Sequence, residues 1–278
     1  MSLLTTREIV TAAYAHRRGV GAFNVIQVEH AEAIVRGAEA AGAPVILQIS
    51  ENAARYHGSL APILAAMLEV ARESSTGVSV HLDHATDPDL VRHGVTLGVS
   101  SVMFDAARLD YDANVALTRE MSAYCHAHAV FVEAELGAIG GKDGVHAAGA
   151  RTDPGEATRF VDATGVDALA VAVGTSHAML TRDAAVDLDL IAALHAAVPV
   201  PLVLHGSSGV SDADLRAAVA VGMTKVNIAT QLNKAFTAAV RAVLADDPRL
   251  VDPRRYLGAG REAVVEQVRQ LLTVLTGG

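Results

Sequence analysis

The feature that most constrains this chain is an alternation. Short apolar runs rich in Val, Ile and Leu recur eight times, separated by amphipathic stretches of helical length. The runs occupy residues 21–25, 44–50, 77–84, 100–105, 130–136, 168–174, 201–205 and 225–229. Most are continuously apolar, the pattern of strands buried on both faces of a parallel sheet. The stretches 29–41, 60–74, 88–97, 112–126, 154–164, 188–196 and 212–221 carry apolar residues at helical spacing. In the first of these, Ala33, Ile34, Gly37 and Ala38 share one side and the charges take the other. Thr152-Asp153-Pro154 and Ser211-Asp212 supply helix-start signals. Eight strand–helix units in 278 residues make the expected α/β fold a closed (β/α)8 TIM barrel. An open doubly wound sheet is the competitor, but the chain lacks a glycine-rich dinucleotide fingerprint. No Pro/Gly/Ser-rich linker divides it, so residues 1–278 are expected to form a single domain.

Composition narrows the partners. The net charge is −9, from 22 Lys and Arg against 31 Asp and Glu, and there are only three lysines. That balance argues against a nucleic-acid or anionic-membrane surface. No stretch reads as a membrane span, and MSLLTTREIV carries no signal-peptide pattern. Cys125 is the sole cysteine, which excludes a disulfide framework and fits a reducing compartment. The expectation is a soluble, cytoplasmic protein.

In a barrel of this kind the strand C-termini and the loops after them build the site. Those ends carry Asp83 and His84, then Glu133 and Glu135, then His177, then His205, and finally Asn227, Ile228, Ala229 and Thr230. Three histidines and several carboxylates at one mouth can hold a zinc ion with an open coordination position, and imidazole suits Zn²⁺ far better than Mg²⁺. A histidine near a strand end is also commonly just a hydrogen-bonding residue, so spacing alone leaves both readings open. Gly206, Ser207 and Ser208 follow the seventh strand, and 227–230 lead into a helix containing residues 231–240. Such turns and helix starts present backbone N–H groups to a phosphate, although ordinary turns also favour Gly and Ser.

These residues resemble a known family. GAFNV (21–25), PVILQIS (44–50), HLDHA (81–85), SVMFDAA (101–107), VEAELGAIGG (132–141), TDPGEA (152–157), TGVDALAVAVGTSH (164–177), LVLHGSSG (202–209) and KVNIAT (225–230) are similar, in order, to the class II zinc-dependent ketose-bisphosphate aldolases. NIAT and the closing DPRRYL resemble the tagatose-bisphosphate branch rather than the fructose-bisphosphate one. The resemblance implies one zinc held by His84, His177 and His205, with Glu135 as an alternative ligand or support. It implies Asp83 as the acid/base for the substrate hydroxyl and aldehyde oxygen. It further implies that Gly206, Ser207, Ser208, Asn227, Ile228, Ala229 and Thr230 hold the dihydroxyacetone-phosphate end. Asn24, Ser50 and Ala178 would line the substrate pocket. A monovalent cation, Na⁺ or K⁺, near that phosphate follows from the resemblance, and so, with the 51% apolar content, does a homodimer or homotetramer. The C-terminal segment around Arg261 is a further candidate to approach a neighbouring subunit's phosphate site.

Three departures stand out. Ala178 replaces the glycine usual after the second zinc histidine, and HGSSG replaces HGGSG or HGASG. The loop after the fifth strand reads Gly140-Gly141-Lys142-Asp143-Gly144, one residue shorter than usual and without the family's mobile glutamate, which leaves Asp143 as the candidate base. Related expectations are an aldolase for a phosphorylated keto-sugar acid of the inositol-catabolism type, or a non-catalytic aldolase-like subunit. A zinc barrel hydrolase wants His-x-His on the first strand, and GAFNV has no histidine. A Schiff-base aldolase fails on inventory: Lys142 is placed in a loop, Lys225 at the far end of the last strand and Lys234 inside a helix.

Overall fold

Eight parallel strands pair in chain order and close on themselves. They are β1 (Val20–Asn24), β2 (Val45–Ser50), β3 (Val78–Ala85), β4 (Ser101–Phe104), β5 (Phe131–Leu136), β6 (Ala168–Val171), β7 (Leu202–Leu204) and β8 (Met223–Ile228). β1 pairs with β8 through Val20↔Lys225 to Phe23↔Ile228, which completes the ring. The structure is a computed structural model that describes residues 3–136, 151–175, 181–182 and 184–277. Each expected strand is present, with ends shifted by up to three residues: most are shorter than expected, while β1 and β8 begin earlier and β3 ends later.

The helices between strands are α2 (Val28–Ala41), α4 (Ala61–Glu73), α5 (Pro88–Leu97), α6 (Tyr111–Ala127), α7 (Pro154–Thr164), α8 (Leu188–Ala197) and α9 (Asp212–Ala220). α10 (Thr230–Asp246) follows β8. Three further helices have no counterpart among the sequence expectations: α1 (Thr6–Ala15), α3 (Glu51–Tyr56) and α11 (Pro253–Thr276). Among the described residues no helix is long and apolar enough to cross a membrane.

The continuous apolar runs divide between two cores, because successive strand side chains point to opposite faces. Phe23, Leu47, Leu82, Phe104, Leu169 and Val226 belong to the larger cluster between barrel and helices. Val20, Ala22, Ile46, Phe131, Ala168, Ala170 and Val203 form a second cluster with Ile9, Val10 and Ala13 of α1. α1 therefore plugs the end of the barrel at which the strands begin. A capping box starts it: the Thr5 side chain accepts from Glu8 N, and Glu8 reaches back to the Thr5 backbone. Thr6 then ties the helix to the strands below through hydroxyl hydrogen bonds to Ser79 (3.0 Å) and Ser101 (2.6 Å). Fully burying a Leu, Ile, Val or Phe side chain stabilises the fold by about 1.5–3 kcal/mol, so both clusters are major contributors.

Candidate active site

At the opposite end the inward positions turn polar. Gln48 and Ser50 on β2, His81 and Asp83 on β3, Glu133 and Glu135 on β5, and Lys225 and Asn227 on β8 are polar pairs two residues apart. The spacing is what one inward face of a strand requires.

Asp83 and His84 are consecutive, so a regular strand would send them to opposite faces. Here β3 shifts register against β4 between Leu82 and Ala85, and His84 sits at φ +49°. A bulge with one residue in the left-handed region re-aims a side chain, at a cost of about 1–3 kcal/mol for a non-glycine residue. The outcome is that ligand-capable atoms of Asp83, His84 and His205 all lie within 4.8 Å of one another. His84, Asp105 and Glu135 form a second such group. The His84 and His205 rings meet edge-on with centroids 4.7 Å apart.

Each histidine is oriented by a carboxylate. His84 Nδ1 lies 2.7 Å from Asp105 Oδ2, and His205 Nε2 lies 2.9 Å from Glu133 Oε1. Glu133 Oε2 accepts from Lys225 Nζ at 2.7 Å. This corrects the expectation for Lys225: β8 starts two residues earlier than expected, and the lysine side chain runs into the sealed interior beneath His205. It is no candidate for carbonyl capture, because it is fully buried and committed to Glu133.

Charge follows from this packing. Burial by itself would lower the His205 pKa, but hydrogen bonds to Glu133 and Glu135 outweigh it and raise it to about 9. Burial would raise Glu133, yet Lys225 and His205 bring it down to about 2. His81 falls to about 3 through burial and the nearby Lys225 charge. Asp83 is held well below the usual carboxylate range: desolvation opposes this, and the neighbouring His84, His205, His81 and Lys225 charges prevail. Asn24 Nδ2 (3.3 Å) and Asn227 Nδ2 (3.4 Å) donate to its two oxygens, and Gln48 Nε2 donates to Asn24 Oδ1 at 2.7 Å.

A cavity of about 180 Å³ opens over this cluster. Asn24, Gln48, Ser50, Asn52, Asp83 and His84 form one side. Gly206, Ser207, Ser208, Asn227, Ala229 and Thr230 form the other. Ser207 Oγ donates to the Asn227 carbonyl, which joins the two backbone segments. No side chain caps the N-terminus of α10 at Ala229, so its first N–H groups face this wall without a side-chain acceptor. Gln48 Oε1 and Asn227 Oδ1 are buried without a hydrogen-bond partner, and both residues line the cavity.

Of the expected site residues, Asn24, Ser50, Asp83, His84, Glu135, His205, Gly206, Ser207, Ser208, Asn227, Ala229 and Thr230 gather at this mouth. Ile228 does not contribute its side chain, which alternation on β8 turns outward into the larger core. Asp143, His177 and Ala178 lie outside the described residues. Gln48, Asn52, Asp105 and the Lys225–Glu133 pair join the site without having been assigned to it from the sequence. Arg261 is held within its own chain by Glu32, Nη1 to Oε2 at 2.6 Å.

A closed parallel barrel whose titratable side chains gather toward the C-terminal halves of its strands, beside a glycine- and serine-rich turn and a helix start, is the architecture of a barrel enzyme. The chain belongs to the class II fructose-bisphosphate aldolase family, whose sequence profile matches residues 4–277. It is similar to the YdjI aldolase from Escherichia coli K12, with a TM-score of 0.87 and 32% identity over 98% of this chain and 97% of that one. A structure from Coccidioides immitis superimposes with a TM-score of 0.87 at 29% identity, covering 98% and 97%. The fructose-bisphosphate aldolase from Campylobacter jejuni shares the fold, with a TM-score of 0.82 at 22% identity over 99% and 95%. The reaction class is aldol cleavage.

Proposed function

We propose that this chain is a zinc-dependent aldolase that reversibly cleaves a phosphorylated ketose, of the fructose- or tagatose-1,6-bisphosphate type, into dihydroxyacetone phosphate and an aldehyde. The observation that carries the reading is the clustering of ligand-capable atoms of Asp83, His84 and His205 within 4.8 Å of one another, beside the cavity that Asp83 and His84 line. The donor set fits zinc: it holds two imidazoles, each oriented through one ring nitrogen by a carboxylate, as metal-ligating histidines commonly are. His84 and His205 would hold the ion together with His177, and Glu135 would support it. A zinc ion bound there would act as a Lewis acid on the negative charge that develops at the ketose carbonyl when the bond between C3 and C4 breaks.

The chain's own residues do the rest. Asp83 is held ionised by the charges around it, so it can accept the C4 hydroxyl proton as the aldehyde forms and return it in the synthetic direction. Asn24 and Asn227 fix the carboxylate from both sides. The Gly206, Ser207 and Ser208 turn and the start of α10 offer N–H and hydroxyl donors to the substrate phosphate. The unpartnered Gln48 and Asn227 amide oxygens are acceptors for sugar hydroxyls, which suits a polyol substrate. Asp143 would serve as the base at the dihydroxyacetone-phosphate carbon.

α10 buries only Gln231 and Leu232 within its own chain, while Leu244 is 37% exposed and Val251, in the loop beyond it, 88%. That surplus of apolar surface supports a homodimer or homotetramer. Light scattering should give two or four times 28.8 kDa, and a single-chain mass would rule the assembly out.

The deciding experiment supplies zinc-loaded protein with ketose bisphosphates and phosphorylated keto-sugar acids and follows dihydroxyacetone phosphate release. Release from a ketose bisphosphate that disappears on chelation is expected. Chelator-insensitive release, or borohydride trapping of substrate on a lysine, would overturn the zinc mechanism. Release from none of them would mark a non-catalytic member.

A further inference from the structure

The interior holds a charged pair that the chemistry above does not use. Lys225 and Glu133 are both fully buried, with Lys225 Nζ 2.7 Å from Glu133 Oε2. The other oxygen of Glu133 meets His205 Nε2 at 2.9 Å. A lysine ammonium can only donate, and a carboxylate can only accept. Both Glu133 oxygens therefore receive hydrogen bonds, the Nε2 edge of His205 donates toward Glu133, and Nδ1 is turned the other way, where it would give up its proton to take a metal ion. Nδ1 is the nitrogen beside Glu135, 3.3 Å from its Oε2, on the side of the metal-ligand cluster. His81 makes no hydrogen bond to Glu133: its Nδ1 is engaged with Ser101 Oγ at 2.7 Å, and its Nε2 is buried without a partner.

We infer that Lys225 is a positioning residue for the metal centre: by anchoring Glu133 it fixes the ring orientation and tautomer of His205, so that Nδ1 is presented to the ion. The inference rests on the zinc reading of the site. Filling space does not account for the pair, since well-packed apolar side chains fill an interior at least as well as a buried ion pair. What apolar side chains cannot do is dictate which nitrogen of the neighbouring imidazole carries the proton.

The test compares wild type with Lys225→Met and with the double variant Lys225→Met/Glu133→Gln. Zinc affinity is read by competition with a chromophoric chelator, and ligand geometry by the visible spectrum of the Co²⁺-loaded protein. The double variant leaves no unpaired buried charge, and its glutamine can donate as well as accept, so it loses the same directional constraint. Both variants should bind zinc about 10- to 100-fold more weakly, the usual effect of losing a group that orients a metal ligand, with an altered cobalt band. A variant with wild-type far-UV circular dichroism that keeps zinc affinity within about twofold and the same cobalt band overturns the inference. Nitrogen-15 shifts of the His205 ring in zinc-loaded wild type need no variant: a proton on Nε2 is expected, and one on Nδ1 overturns it. Wild type that binds no zinc would sink the metal reading itself, a result distinct from either.

Discussion

Asp83 is the residue whose role is easiest to isolate. It sits where two amides clamp it, one on each carboxylate oxygen. Asp83→Asn should lower turnover by about 10²- to 10⁴-fold, the range for losing a general acid/base, with zinc stoichiometry unchanged. A coupled assay for dihydroxyacetone phosphate and metal analysis of the same sample separate the two effects. His30 on α2 illustrates a different cost. Its ring stacks near Phe236 at 5.0 Å, neither nitrogen has a partner, and burial lowers its pKa from 6.5 to about 4. Above pH 6.5 the ring is neutral whether folded or unfolded. As the pH falls toward 4, the unfolded chain binds a proton that the folded chain refuses, so stability declines and the loss is complete below about 4. At 1.36 kcal/mol per pKa unit the full effect is about 3 kcal/mol. His30→Leu should therefore lose about 3 kcal/mol less than wild type between pH 7 and 4 in urea titrations. At this scale the sequence showed the histidines and carboxylates at strand ends but not the groups that orient them. Asp105 stands one residue past β4 and meets His84 only because β3 bulges, and no local pattern announces a bulge. Gln48 and Lys225 were hidden inside apolar runs, although their spacing of two from Ser50 and Asn227 was a usable signal.

The elements that the sequence showed were those with enough length to display a period. Seven helices between strands were legible because each buries one stripe against the barrel. α3 was not: it has six residues, too few turns for a periodic pattern, yet it carries Asn52 to the cavity with Ser50 as its N-cap. α1 and α11 were passed over because the strand–helix count begins at β1 and ends with α10. Their start signals were nevertheless present, a Thr5/Glu8 capping box and Asp252 before Pro253. α11 lies across α2 at Gly37, where an added Cβ would come within 2.7 Å of Val268 Cβ and 2.8 Å of the Val265 carbonyl oxygen. Helix propensity would reward Gly37→Ala by about 1 kcal/mol, whereas overpacking costs about 1–3 kcal/mol. The clash involves backbone, so it should win. Gly37→Ala should lower the urea midpoint, and a raised midpoint would mean that α11 shifts freely on α2.

For the whole molecule, the two apolar cores are expected to support folding without a metal, and on the zinc reading a bound ion would add to that base. A ligand at a thousand times its dissociation constant stabilises the native state by about 4 kcal/mol, which at this chain length is on the order of 8–16 °C in melting temperature. Calorimetry of chelated and zinc-loaded protein should show one cooperative transition in each case, separated by several degrees. Coincident transitions would mean that the ion is not bound in the folded state. The (β/α)8 topology itself was legible because eight apolar runs admit few closures, while the sealing of one barrel end was not, since it depends on where α1 docks.

That seal has a kinetic consequence. With Ile9, Val10 and Ala13 filling one end of the barrel, traffic through the axis is blocked, and among the described residues reactants share the doorway at the other end. On the proposed reaction, cleavage then leaves two fragments queued behind one exit, with the aldehyde nearer the door if the dihydroxyacetone-phosphate end is gripped by the backbone wall. Release is expected to be ordered, with dihydroxyacetone phosphate leaving last. In the cleavage direction it should then inhibit competitively against the ketose, while the aldehyde should inhibit noncompetitively.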